Sequence, residues 1–331
     1  MHVAIFREKA MKLGLFTPVL GKLPFEKMLE KVRSLQKVQA IELGTGAWPG
    51  SDHIKVDELL SNTQKTKEFR SKIQDAGLTI SALSCHGNPI HPEAAVAKKY
   101  DETFRKTVRL AEKLEVPVVV TFSGCPGDKK QSNCPNWIVA PWPPEFLETL
   151  TWQWEKKVIP YWKNAGKFAA DHGIKVALEA HPGFVVYNVE TALKLRAAAG
   201  KSVGVNFDPS HFFWQGVDVP VAIRALGDAI FHVHAKDVAL NDENIRKNGV
   251  LDAKSYREMP ERAWLFRSVG WGHDELEWKR IVSALRLIGY DYVMSIEHED
   301  ALASADQGLS FAVEFLSRLL LTEQPAEPWW T

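Results

Sequence analysis

Cysteine is scarce in this 331-residue chain: three residues, Cys85, Cys125 and Cys134, are too few for a disulfide-stapled scaffold. No apolar run approaches the roughly 20 residues needed to cross a bilayer, and the opening MHVAIFREKAMKLG has no long apolar segment of the secretory kind. A cytoplasmic location is therefore expected. Charge of one sign is not in excess either. Lys plus Arg and Asp plus Glu number 41 each, so no global positive field recruits nucleic acid. No Pro/Ser linker or low-complexity segment divides the chain. What is present, 45% hydrophobic and 25% charged residues, is the composition of a soluble globular protein with ample length for a core. Cys125 and Cys134 flank the loop GCPGDKKQSNC, where they pair, bind metal or, as expected here, stay reduced without a role.

Short apolar runs alternate with longer amphipathic stretches, which predicts a repeated βα design. Eight strands are expected: Lys12 to Thr17, Ala40 to Leu43, Thr79 to Cys85, Pro117 to Phe122, Lys175 to Glu179, Val203 to Asp208, Ile230 to Ala235 and Val293 to His298. Helical patterns lie between them, among them Pro24 to Val38, Thr63 to Ala76, Pro92 to Leu114, Phe146 to His172 and Val189 to Ala199. Gly77, Gly173, Gly200 and Gly289 follow helical patterns and precede strands, the place of carboxyl-terminal caps. The expectation is an α/β fold, a single (β/α)8 TIM barrel over residues 1–331, with 1–10 as an N-terminal extension and 321–331 as a tail. Two insertions, Ser123 to Glu145 and Lys236 to Gly270, follow strands four and seven, the side on which barrel active sites are built. The tryptophans in and after the first insertion read chiefly as loop packing, with sugar stacking or a protein interface as the other uses.

Four strands of the second half end in a polar residue able to bind metal: Glu179, Asp208, His234 and Glu297. Alternation along a strand puts Val176, Leu178, Val205, Phe207, Phe231, Val233, Met294 and Ile296 on one apolar layer and those four on the barrel interior. Three carboxylates and one imidazole suit a single divalent ion, Mn²⁺ first, with Mg²⁺, Co²⁺, Zn²⁺ or Fe²⁺ as alternatives. Asp208 before Pro209 also reads as a helix N-cap, and His211 three residues on shares its pocket if a helical turn begins there. Glu299 has the same parity as Glu297 and is a rival ligand. Glu42 near the end of strand two either binds sugar hydroxyls or makes a structural hydrogen bond. His181 shares the side of Glu179 unless Pro182 turns the chain away, and His232 reads as a buried, hydrogen-bonded histidine. Lys236 and Asp237 either pair locally or touch substrate.

The segments VALEAHPG, VNFDPSH, HVHAKD, VGWGHDELEW and GYDYVMSIEHED, in this order, resemble the xylose isomerase-like sugar isomerase/epimerase superfamily, similar in fold to endonuclease IV. The resemblance runs from Lys12 to about Leu320. It implies a divalent metal on Glu179, Asp208, His234 and Glu297, with Glu179 and Glu297 also an acid/base pair on opposite faces of the substrate. It implies substrate contacts from His211 and from Arg267, just before VGWGH. SCHGNP adds His86, and His181 is the remaining candidate for sugar binding.

The activity so implied is isomerisation or epimerisation of a small carbohydrate through proton abstraction next to a carbonyl and an enediolate. The alternative is a lyase or dehydratase acting on a 3-keto-glycoside or inosose, in which the same enolisation precedes β-elimination. Abasic-site DNA cleavage, the endonuclease IV activity, wants more histidines and a basic surface than this chain has. The expected partners are a carbohydrate, weakly favoured as unphosphorylated, and a second copy or partner subunit, with no nucleic acid and no membrane.

Overall fold

The computed structural model describes residues 10–323 and 330. Residues 1–9 of the expected extension and most of the expected tail lie outside the described residues. Near-continuous aliphatic runs such as VVVTF and VGVNF form strands buried on both faces, the pattern of a parallel sheet covered by helices. Eight of them close into a parallel barrel: β1 (Lys12–Phe16), β2 (Ala40–Gly44), β3 (Thr79–Ser84), β4 (Val118–Phe122), β5 (Lys175–Glu179), β6 (Val203–Phe207), β7 (Ile230–Ala235) and β10 (Val293–Ile296), the last pairing back onto β1. β8 (Asp237–Leu240) and β9 (Trp264–Arg267) form an antiparallel ribbon within the insertion after β7. The α/β barrel expected from the sequence is thus the fold.

The expected caps are in place. Gly77, Gly173, Gly200 and Gly289 all have positive φ, a backbone region costly for residues with a Cβ. The expected helix Phe146 to His172 is interrupted. It consists of Glu145–Gln153, one π turn at Trp154–Val158, and Ile159–Asp171. Pro160 has no N–H for the carbonyl four residues back and its ring crowds that position, so the ladder loosens by one residue there.

One expectation about facing is overturned. A register shift between β6 and β7 pairs Val205 with Ile230 but Asn206 with His232. The extra residue turns Phe231 into the barrel, where it packs with Ala82, Val118, Val120 and Ala177 instead of joining the outer layer of Val233. The inner apolar cluster fills the lower barrel and leaves its upper interior to polar groups. Four strands also stop short of their expected ends, β1 at Phe16 and β3 at Ser84 by one residue each. β6 ends at Phe207 because Asp208 leaves the ladder to cap Pro209–Phe213, and β10 ends at Ile296.

Candidate functional site

The carboxyl ends of β5, β6, β7 and β10 converge. Ligand atoms of Glu179, Asp208, His234 and Glu297 all lie within 4.8 Å of one another. His234 Nδ1 stands 3.1 Å from Glu179 Oε2 and 3.0 Å from Glu297 Oε2. Asp208 caps the turn that follows, one oxygen accepting from the Ser210 N–H at 2.9 Å, while the other, Oδ2, turns to the cluster. Asp208 Oδ2, His234 Nδ1 and Glu297 Oε2 are buried without a hydrogen bond of acceptable geometry. Their ion-pair contacts are therefore charge contacts at poor angles. Buried polar atoms left so are costly unless a cation serves them, and three hard oxygens with one imidazole fit a divalent metal. Glu299, the rival, stays outside this group and is half exposed.

Beneath the cluster lies a layer of buried polar groups. Glu42 is fully buried, holds His234 Nε2 at 2.9 Å and accepts from the Ser84 hydroxyl. Its contact is a structural hydrogen bond rather than a sugar contact. Because Nε2 faces Glu42, it is Nδ1 that faces the cluster, the arrangement in which a carboxylate fixes a ligating histidine's tautomer. Asn206 donates to Glu179 Oε2 at 3.0 Å and its carbonyl oxygen meets His232 Nδ1 at 3.0 Å. Burial lowers His232 to about 4. Burial would raise Glu42, yet His234 and His232 outweigh it and hold the carboxyl near 2. Burial likewise opposes the charge on Glu179, but contacts from His211, His234 and His86 keep it well below the usual carboxylate range. Conversely, burial would lower His234, and the facing Glu42, Glu297 and Glu179 raise it well above its ordinary value.

A cavity of about 440 Å³ opens above the cluster, lined on its polar side by His86, His181, Glu179, Glu297, Glu299 and Lys236. His86 Nε2 reaches Glu179 at 3.1 Å. His181 stays on the Glu179 side despite Pro182, whose carbonyl meets its Nδ1 at 2.7 Å; burial and the neighbouring His211 lower it to about 3. His211 lies behind His181, ring centroids 4.1 Å apart, with Nε2 3.2 Å from Asp208 and 3.3 Å from Glu179. Arg267 is elsewhere. Its guanidinium pairs with Asp300 at 3.2 Å, and it does not line the cavity.

The cation at the mouth is instead Lys236, whose ammonium sits 3.0 Å from Asp208, 2.9 Å from Glu297 and 3.0 Å from Glu299. Burial alone would discharge it, but these carboxylates raise its pKa well above the ordinary value. Asp237 does not pair with Lys236. It turns into the GWGH segment and accepts from the N–H groups of Gly270, Gly272 and His273, from His273 Nδ1 and from Trp278 Nε1. The opposite wall, Phe16, Trp48, Phe122 and Phe184, had no place in the sequence reading. Its one signal was a tryptophan in the loop GTGAWPG immediately after β2. The three cysteines are free, Cys125 buried and raised to about 12 by that burial. Of the loop tryptophans, Trp154 and Trp162 are buried, Trp162 donating to the Ser123 carbonyl, while Trp142 is exposed.

Comparison with known proteins bears on the fold and the family. A protein of Bacillus subtilis (strain 168) described as uncharacterized protein YfiH is 40% identical over 313 residues, covering 94% of this chain and 99% of that protein. Among solved structures, the probable 3-DHS dehydratase AsbF of Bacillus anthracis is 18% identical with a TM-score of 0.65, covering 93% and 99%. A D-tagatose 3-epimerase-like protein is 21% identical at 0.60, and an IolI protein with a bound zinc atom 19% identical at 0.63, each covering 93% of this chain and 98% of its own. At such identities these structures show the shared barrel fold alone. No helix among the described residues is long and apolar enough to cross a membrane. Residues 29–319 match the family described as xylose isomerase-like TIM barrel, and the chain belongs to that family.

Proposed function

We propose that the protein is a divalent-metal-dependent isomerase or epimerase of a small carbohydrate, with Glu179 and Glu297 as its proton-transfer pair. The observation that carries this reading is that both carboxylates line one cavity while standing 3.1 and 3.0 Å from His234 Nδ1. A bound cation supplies Lewis acidity, which makes a hydrogen next to a sugar carbonyl labile. Glu179, kept ionised by its three histidine neighbours, takes that proton. Glu297, which meets the same His234 nitrogen, passes a proton from the Lys236 ammonium 2.9 Å away to the resulting enediolate, and Lys236 regains one from solvent. Return to the opposite face of the same carbon epimerises the sugar, and return to the adjacent carbon interconverts aldose and ketose. Lys236 holds Glu297 at the mouth, and His86 and His181 present imidazole nitrogens to sugar hydroxyls. Mn²⁺ is the metal we expect, and the zinc carried by the IolI protein makes Zn²⁺ the first alternative.

The aromatic wall facing the carboxylates favours a second outcome of the same enolisation, loss of a β substituent from an oxidised glycoside. Solvent deuterium uptake, measured across unphosphorylated ketoses and 3-keto-glycosides with the metal-loaded enzyme, tests both outcomes. The proposal expects exchange into at least one sugar, with epimer or isomer formed, or aglycone released in the second case. It also expects loss of that exchange in Glu179→Gln. Turnover preserved in that variant would overturn Glu179 as the base.

A further inference from the structure

The mouth of the cavity is divided in two. On one side stand the carboxylates and histidines already described. On the other stands an aromatic wall in which Phe122 and Phe184 stack with centroids 4.4 Å apart. Trp48 leans on both, at 5.5 and 5.7 Å. Phe122 and Phe184 are largely buried, but Trp48 remains 56% exposed, so an indole face stays available in a site otherwise shaped to hold ligand. The chain supports that placement. Ala47 has φ of +59°, a conformation uncommon for a residue with a Cβ. The Trp48 N–H is tied to the His86 carbonyl at 3.0 Å, which links the wall to the polar side.

Two further properties restrict what fits. A cavity of about 440 Å³ lies within the range of roughly 300–1,000 Å³ that accommodates drug-sized ligands, and a lone sugar ring at the carboxylates leaves the aromatic side unfilled. Among the described residues the lining contains no arginine, and its single lysine, Lys236, is taken up by Asp208, Glu297 and Glu299. A phosphate or carboxylate on the ligand would meet Glu179, Glu297 and Glu299 with no free cation among the described lining residues. Building on the carbohydrate reading above, we infer that the natural substrate is an uncharged glycoside whose flat apolar aglycone stacks on Trp48, Phe122 and Phe184 while its sugar ring lies at Glu179 and Glu297.

Unoxidised phenyl and methyl glycosides test this without turnover, because they have no carbonyl to enolise. Calorimetric titration of the metal-loaded enzyme with both anomers of the glucosides and galactosides should show a phenyl glycoside binding about tenfold tighter than its methyl counterpart, the worth of roughly 1.4 kcal/mol of ring stacking. Trp48→Ala should remove that margin and leave the methyl glycoside unchanged. Equal affinities, no binding by either, or a margin that survives Trp48→Ala would each overturn the inference. Deuterium exchange into a ketose without any phenyl preference would sink this inference alone. A phenyl preference without exchange into any sugar would sink only the catalytic reading.

Discussion

Glu42 shows what a single side chain does below the visible chemistry. It does not line the cavity above the cluster, yet its contact with His234 Nε2 at 2.9 Å decides which imidazole nitrogen faces the carboxylates. Outer partners of this kind are commonly worth 10–100-fold in metal affinity. Glu42→Ala should therefore weaken divalent-metal binding by about that factor, whereas Glu42→Gln, whose amide oxygen can still accept from Nε2, should lose far less; metal titration with a competing chelator measures both. Equal losses would mean that charge rather than tautomer is at stake. Strand parity showed that Glu42 points inward, but which neighbour it meets depends on β2 and β7 facing each other across a barrel, which no local pattern encodes. Glu179, Asp208, His234 and Glu297 were legible for the opposite reason. Each is the polar residue at the end of an apolar run, so period-two alternation alone puts it at the mouth.

At the scale of elements, Asp237 joins two stretches of sequence more than 30 residues apart. Its carboxylate accepts from three backbone N–H groups of the GWGH turn and from Trp278 Nε1, anchoring the return of the β8–β9 insertion. Asp237→Ala leaves these donors unpaired, and at about 1–3 kcal/mol per stranded buried group the variant should lose about 3 kcal/mol or more of stability. A matching drop in the urea midpoint checks this, and an unchanged midpoint would mean the turn holds itself. The motifs HVHAKD and VGWGHDELEW were readable separately, but their hydrogen-bonded union was not, because 31 residues lie between them. The same insertion explains Arg267. Its position before VGWGH suggested a substrate contact, while the β9 strand hands it to Asp300. Phe231 was placed on the outer layer because alternation assumes an unbroken ladder, and the β6/β7 register shift breaks it.

For the whole molecule, a polar layer buried inside a barrel makes stability depend on pH. His232 has an ordinary pKa of 6.5 lowered by burial to about 4. As pH falls from 6.5 toward 4, the unfolded chain takes up a proton there that the folded chain refuses, so the folded state loses stability on acidification. Relative to His232→Gln, wild type should lose about 1.4 kcal/mol more per pH unit across that window and nothing more above it, as read from urea unfolding at a series of pH values. Superimposable curves would mean that His232 is protonated in the fold. The barrel itself was legible from the recurrence of apolar run, helical pattern and capping glycine, a consistency of many weak local signals. The cavity wall of Trp48, Phe122 and Phe184 was not, since it gathers residues from three separate loops and strand ends. The central claim is that three carboxylates and one imidazole hold a single divalent cation. Calorimetric titration of chelator-stripped, untagged protein with Mn²⁺ tests it most directly. One ion per chain, with binding lost in Asp208→Ala and in Glu297→Ala while both variants keep their far-ultraviolet circular dichroism, is the predicted result; binding that either substitution leaves untouched, or no binding of Mn²⁺, Mg²⁺, Co²⁺, Zn²⁺ or Fe²⁺ by the wild type, would contradict it.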